Sequence, residues 1–150
     1  MALSELYSDR ILEIAGNAVQ PGRLPDPAAS ARKVSRVCGS MIEVDITLSD
    51  GVITAYGHEV SACALGQTSA AIVAKAIVGT SVAEFTEVSR RMLAMLRDNG
   101  APPEGKWSDL GFLQPAREFP ARHASTMLVF DAVIEAIEKL ESDQHLASKV

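Results

Sequence analysis

Two cysteines, one tryptophan and an aromatic content of 5% leave this 150-residue sequence poor in several common signatures. Two cysteines are too few for the disulfide framework of a small secreted protein. No apolar run is longer than a few residues, which argues against a membrane-spanning helix. Basic charge is scarce as well. Lys and Arg total 14 against 19 Asp and Glu, a net charge of -5. That balance disfavours nucleic-acid binding, which needs phosphate neutralisation. The segment from Met1 to Glu5 has no basic stretch leading into an apolar one, so no secretory signal is expected and the reading is a cytoplasmic protein. There is no phosphate-cradling glycine loop, nucleophile elbow or metalloprotease helix motif.

What is present is a globular composition, with 47% apolar and 22% charged residues. The length suits one domain over residues 1–150 with its own core. Tyr7, Ile11 and Ile14 share a helical face, with Gly16 and Asn17 as a left-handed stop. Residues 18–30 hold three prolines and read as an extended connection. Lys33 to Val37 is a short strand, and Arg32, Lys33 and Arg36 mark it as a charged sheet edge. It turns at Gly39 and Ser40. Ile42, Val44, Ile46 and Leu48 alternate with polar residues as a second strand. Glu43 and Asp45 on its polar face read as solvated charges. Asp50-Gly51 predicts a hairpin turn into a third strand, Val52 to Ser61.

The remainder reads as helices. Leu65, Ser69, Ile72 and Ala76 share one face, closed by Gly79. Ser81 and Glu84 form a capping box ahead of the stripe Phe85, Val88, Met92 and Leu96, which Asn99-Gly100 ends. A short helix around Trp107, Leu110, Phe112 and Leu113 follows a proline loop. Pro120 opens the last helix, with Met127, Phe130, Ile134 and Ile137 inward. The polar tail after Leu140 is expected to fray. The whole is an α+β domain: an N-terminal helix, a three-stranded antiparallel sheet, and helices packed on one face.

Three residues carry candidate chemistry. Cys63 follows a strand and heads a Ser/Ala-rich helix, where the dipole and free N–H groups favour a thiolate. A small residue filling the corner explains the position equally well. Cys38 precedes Gly39 at a turn, which lets backbone approach a ligand closely. His123 sits near the start of the last helix, where a neutral imidazole suits metal ligation and a water-facing histidine is the simpler alternative. His58, mid-strand, and His145, in the tail, receive no role.

The order of these features resembles a known family. A Tyr-Ser-x-x-Ile-Leu helix (Tyr7, Ser8, Ile11, Leu12) ends near Asn17. Cys38-Gly39 follows at a turn, then a hairpin, then Cys63 before Thr68-Ser69-Ala70. Arg117 to Arg122 leads into the final helix. Together they resemble the U-type iron–sulfur cluster assembly scaffolds (IscU, SufU and the N-terminal domain of NifU), most closely the SufU branch. The resemblance implies a site built from three cysteines and an aspartate that holds a nascent cluster, zinc or iron. It also implies a cysteine desulfurase as sulfur donor and acceptor proteins for the cluster.

The sequence departs from that pattern at two positions. Cys-Gly-Asp becomes Cys38-Gly39-Ser40, and an ungapped match puts Ser125 at the third cysteine with Ala124 before it. A one-residue shift would put Ala124 at the cysteine and His123 at the preceding histidine. The retained candidate ligands are Cys38, Cys63 and His123, fewer than the four a zinc ion or cluster takes unless a second subunit contributes. An altered scaffold, not an enzyme, is the first reading. A metal-free interaction protein of the same fold that binds a desulfurase or acceptor is the second, and a Cys38–Cys63 dithiol couple the third.

Overall fold

A computed structural model describes residues 8–17, 21–36 and 39–148, with side chains up to residue 142. The elements are α1 (Asp9–Gly16), β1 (Ala29–Ser35), β2 (Ser40–Ser49), β3 (Val52–Ser61), α2 (Ala64–Ala76), α3 (Val82–Arg97), a 3-10 run (Gly105–Glu118), a 3-10 turn (Pro120–Arg122) and α4 (His123–Ser148). The sheet is antiparallel in the order β1-β2-β3. Asp50 and Gly51 both take positive φ, 51° and 78°, so the β2–β3 turn has the twist that the Asp-Gly pair predicts.

The sheet's two faces do different work. Ala31, Ile42, Val44, Ile46 and Tyr56 are buried against the helices, and α4 packs across β1 and β2. Phe85, on α3, stacks on Phe130 of α4 and meets Trp107 edge-on, each at 5.8 Å between ring centroids. Thr68 Oγ1 donates to the Ile11 carbonyl at 3.2 Å and ties α1 to α2. His58 also points inward and is buried, with Nδ1 hydrogen-bonded to Tyr56 Oη at 2.7 Å. Burial pushes the His58 imidazole down to about 4.

The outer face is crossed by the chain segment that leads into β1. Gly22 bridges to His58 on the β3 edge. The Leu24 N–H donates to Asp45 Oδ2 at 3.0 Å, and the Ala28 N–H donates to the Ile46 carbonyl at 2.9 Å. Gly57 is required beneath this strap, because a Cβ there would stand 2.3 Å from the Gly22 carbonyl oxygen. Asp45 is therefore not the solvated charge that strand alternation suggests. Its side chain is wholly covered, takes two bonds from Arg23 at 2.6 and 2.8 Å, and accepts another from Ser30. The Arg23 guanidinium holds its carboxyl below the usual carboxylate range, against the opposing effect of burial.

Several boundaries differ from the sequence expectation. β1 begins at Ala29, inside the stretch read as a connection, because small residues can line a sheet beneath a helix without a bulky alternating signal. Asn17 caps α1 at φ -103°, so the stop there is not left-handed. Leu12 and Phe112 are exposed. Ser81 Oγ accepts the Glu84 N–H at 3.0 Å as expected, but the Glu84 carboxylate turns to Trp107 Nε1 instead of closing the box. Pro120 lies in the 3-10 turn before α4, and α4 continues past Leu140 to Ser148. Tyr7, Val37 and the side chain of His145 lie outside the described residues. Among the described residues, no helix is long and apolar enough to cross a membrane.

Candidate functional site

β3 ends at Ser61 and α2 begins at Ala64, so Cys63 lies in the corner between them as the helix N-cap, with φ -66° and ψ 173°. Its side chain makes no capping bond, so the sulfur is not spent on the helix amides. The thiol is free and half-buried. Ser125 stands on the first turn of α4, 62 positions further along the chain, with Oγ 3.2 Å from Cys63 Sγ. The same hydroxyl is 3.3 Å from Ser40 Oγ, where β2 begins. Ser40 and Ser125 are both buried. The fold thus assembles a row of thiol, hydroxyl and hydroxyl from three separate elements, and the thiol is the member that reaches solvent.

Two glycines shape this row. Gly39 takes φ +69°, and its N–H donates to the Ser35 carbonyl at 2.9 Å, which turns β1 back into β2 at Ser40. Gly66, one turn into α2, lets α4 approach. A Cβ on it would stand 2.7 Å from the Ala62 Cβ and 3.2 Å from Ser125 Oγ. Sequence reasoning passed over Gly66. The signal for it is a lone glycine inside a helical pattern, which marks close packing.

The remaining candidates lie apart from the row or beyond description. Cys38 lies outside the described residues. Successive helical residues are about 100° apart, so His123 and Ser125 face different ways on α4. His123 Nε2 lies 3.1 Å from the Ala116 carbonyl oxygen. The ring lines a separate cavity of about 540 Å³ with Leu93, Arg97, Met127 and Asp131. Ala124 is exposed and offers only a methyl group. Among the described residues, no three His, Cys, Asp or Glu side chains are grouped closely enough to hold a metal ion. The described donors in the row are one thiol and two serine hydroxyls, and a hydroxyl is a weak ligand. A closed tetrahedral site would need ligands beyond these.

No protein-family model matches this chain. Solved structures and curated proteins do. The N-terminal part of a nitrogen-fixing NifU-like protein from Brucella abortus is 42% identical, with a TM-score of 0.90 over 93% of this chain and 97% of that one. The chain belongs to the U-type scaffold family. The iron–sulfur cluster assembly scaffold protein IscU of Thermotoga maritima is 26% identical, over 93% of this chain and 98% of that protein. This chain also shares its fold with a putative SUF-system scaffold, SufU, from Fervidobacterium islandicum AW-1, at a TM-score of 0.81 and 16% identity over 90% of this chain and 98% of that one. An N-terminal helix, a three-stranded antiparallel sheet and helices on one face are thus the family's architecture as well as this chain's.

Proposed function

We propose that this U-type protein is a cytoplasmic iron–sulfur assembly scaffold that takes iron or a transient cluster as cargo on Cys63 and Cys38. The observation that carries the reading is the meeting of Ser40, Ser125 and Cys63 in one row. By the family resemblance, Ser40 and Ser125 occupy the places of an aspartate and a cysteine. Residues far apart in sequence come to one point, as the parts of one site should. A cysteine desulfurase would supply the sulfur and acceptor proteins would take the cluster, so the chain itself turns over no small substrate.

One observation favours a second reading, a metal-free interaction protein. Ser125 Oγ lies within hydrogen-bonding distance of both Cys63 Sγ and Ser40 Oγ, so the row holds together without a metal. Zinc titration against a chromophoric chelator separates the two. The scaffold reading expects weak but measurable zinc binding that Cys63→Ala removes. It also expects the double change Ser40→Asp with Ser125→Cys to tighten binding by at least about tenfold, by completing the ligand set. Absence of any Cys63-dependent metal binding in wild type and double variant alike would favour the second reading.

A further inference from the structure

The two edges of the sheet are finished differently. At the β3 edge, Gly22 bridges to His58 and Ser81 bridges to Val52, so chain covers it near both ends. At the β1 edge, among the described residues, no backbone pairs from outside. Among the described residues, side chains from α4 reach it: Lys139 Nζ donates to the Ser30 carbonyl at 2.9 Å, and Glu135 pairs with Lys33 at 3.1 Å. Beyond them β1 presents Arg32 and Val34, and the turn after it Arg36, all exposed, with Val34 at 54%. Neither arginine has an ion-pair partner among the described residues. Glu43, across from Arg32 in register, is held by Arg23 at 3.0 Å.

We propose that the β1 edge accepts an extended acidic segment of a partner protein as a fourth strand, with Arg32 reading an acidic side chain beside an apolar residue that covers Val34, and with Arg36, in the turn where β1 ends, drawing the acidic segment on. Side chains recur on one face every second residue, so Arg32 and Val34 point the same way within β1, and Arg36 lies in the turn just past the strand's end. Strand addition takes its affinity from main-chain bonds and its choice of partner from alternate side chains. Cations on an edge also reject wrong partners. A second copy of β1 would set Arg32, Lys33 and Arg36 against themselves, whereas an acidic strand neutralises them. The location matters too. Ser35 pairs with Ser40 in the register, and Ser40 touches Ser125, so a strand added here would run its end to the rim of the Cys63 site. The inference stands on the edge alone and does not depend on what that site holds.

The test is fluorescence anisotropy with a labelled peptide of about nine residues, alternating Glu with Val, a usual strand length. Wild type should bind it saturably, and more weakly as salt rises. Arg32→Glu with Arg36→Glu should weaken binding by at least about tenfold, with an unchanged circular dichroism spectrum because both positions are exposed. The same peptide N-methylated at alternate residues should lose binding to the unaltered protein, because it cannot donate its ladder bonds. A peptide with Lys for Glu should not bind. Equal binding by the double variant, or by the N-methylated peptide, would overturn the proposal, as would no binding of the acidic peptide to wild type. Cys63→Ala should bind the acidic peptide as wild type does, which keeps this test separate from that of the scaffold reading.

Discussion

Two polar clusters on the same sheet are built on opposite principles. On the outer face, Asp45 is wholly covered and saturated: Arg23, Ser30 and the Leu24 N–H all converge on one carboxylate. At the Cys63 end, the groups are small, a thiol and two hydroxyls, joined by longer contacts of 3.2 and 3.3 Å. A buried charge with every lone pair engaged fixes one arrangement and leaves nothing to offer a ligand. A thiol beside two hydroxyls costs little to bury and keeps its ligating atom available. The first cluster reads as a lock that holds the strap over Gly57, the second as a place where something binds.

The largest break in that comparison should come from the lock. Asp45→Ala leaves the Arg23 guanidinium with Glu43 alone and the Leu24 N–H without its acceptor, and should cost about 2–4 kcal/mol, read as a lower denaturation midpoint in urea. Acid should act on the same face and on the core behind it. His58 is held neutral down to about 4, so between its unfolded value near 6.5 and that point the unfolded chain binds a proton that the folded chain does not. Stability should therefore fall as pH drops through this window, and His58→Gln should flatten that slope. Asp45 adds a further loss as pH falls below its unfolded value near 3.8, where the unfolded chain takes up a proton that the folded carboxyl, held lower, does not. Denaturation midpoints collected from pH 7 to pH 3 would show both limbs.

Smaller effects belong to the Cys63 end. Gly66→Ala puts a methyl against Ala62 and Ser125, and should cost about 1–2 kcal/mol by pushing α4 away. It should also weaken any metal binding, since Ser125 rides on α4. Ser125→Ala removes only neutral hydrogen bonds and should cost at most about 1 kcal/mol. If Ser125→Ala proved as damaging as Asp45→Ala, the contrast between lock and binding place would collapse.

The same contrast explains what could be read from the sequence. Alternation in Ile42 to Leu48, the Asp50-Gly51 turn and the Phe85 to Leu96 stripe are local patterns, and each led to the right element. The family resemblance rested on the order of such features together with Cys38-Gly39 and Cys63. Asp45 was misread because its partner, Arg23, lies 22 positions away in a proline-rich stretch with no periodicity. β1 was cut short because Ala29 and Ala31 give no apolar alternation, although α4 buries Ala31. Cys63 was recognisable from its place before a helix, and Ser125 from the ungapped register. That Ser125 touches both Cys63 and Ser40 depends on α4 crossing the end of the sheet, a tertiary fact with no local signature.

The central claim is that Cys63 binds cargo and is not merely a corner filler. Anaerobic reconstitution with iron, cysteine and a cysteine desulfurase, followed by absorption spectra and gel filtration of wild type and Cys63→Ala, tests it directly. The account predicts visible cluster absorption that travels with wild-type protein and is absent from Cys63→Ala, whose helical circular dichroism is unchanged. A cluster that persists in Cys63→Ala, or a wild type that never acquires one, would contradict it.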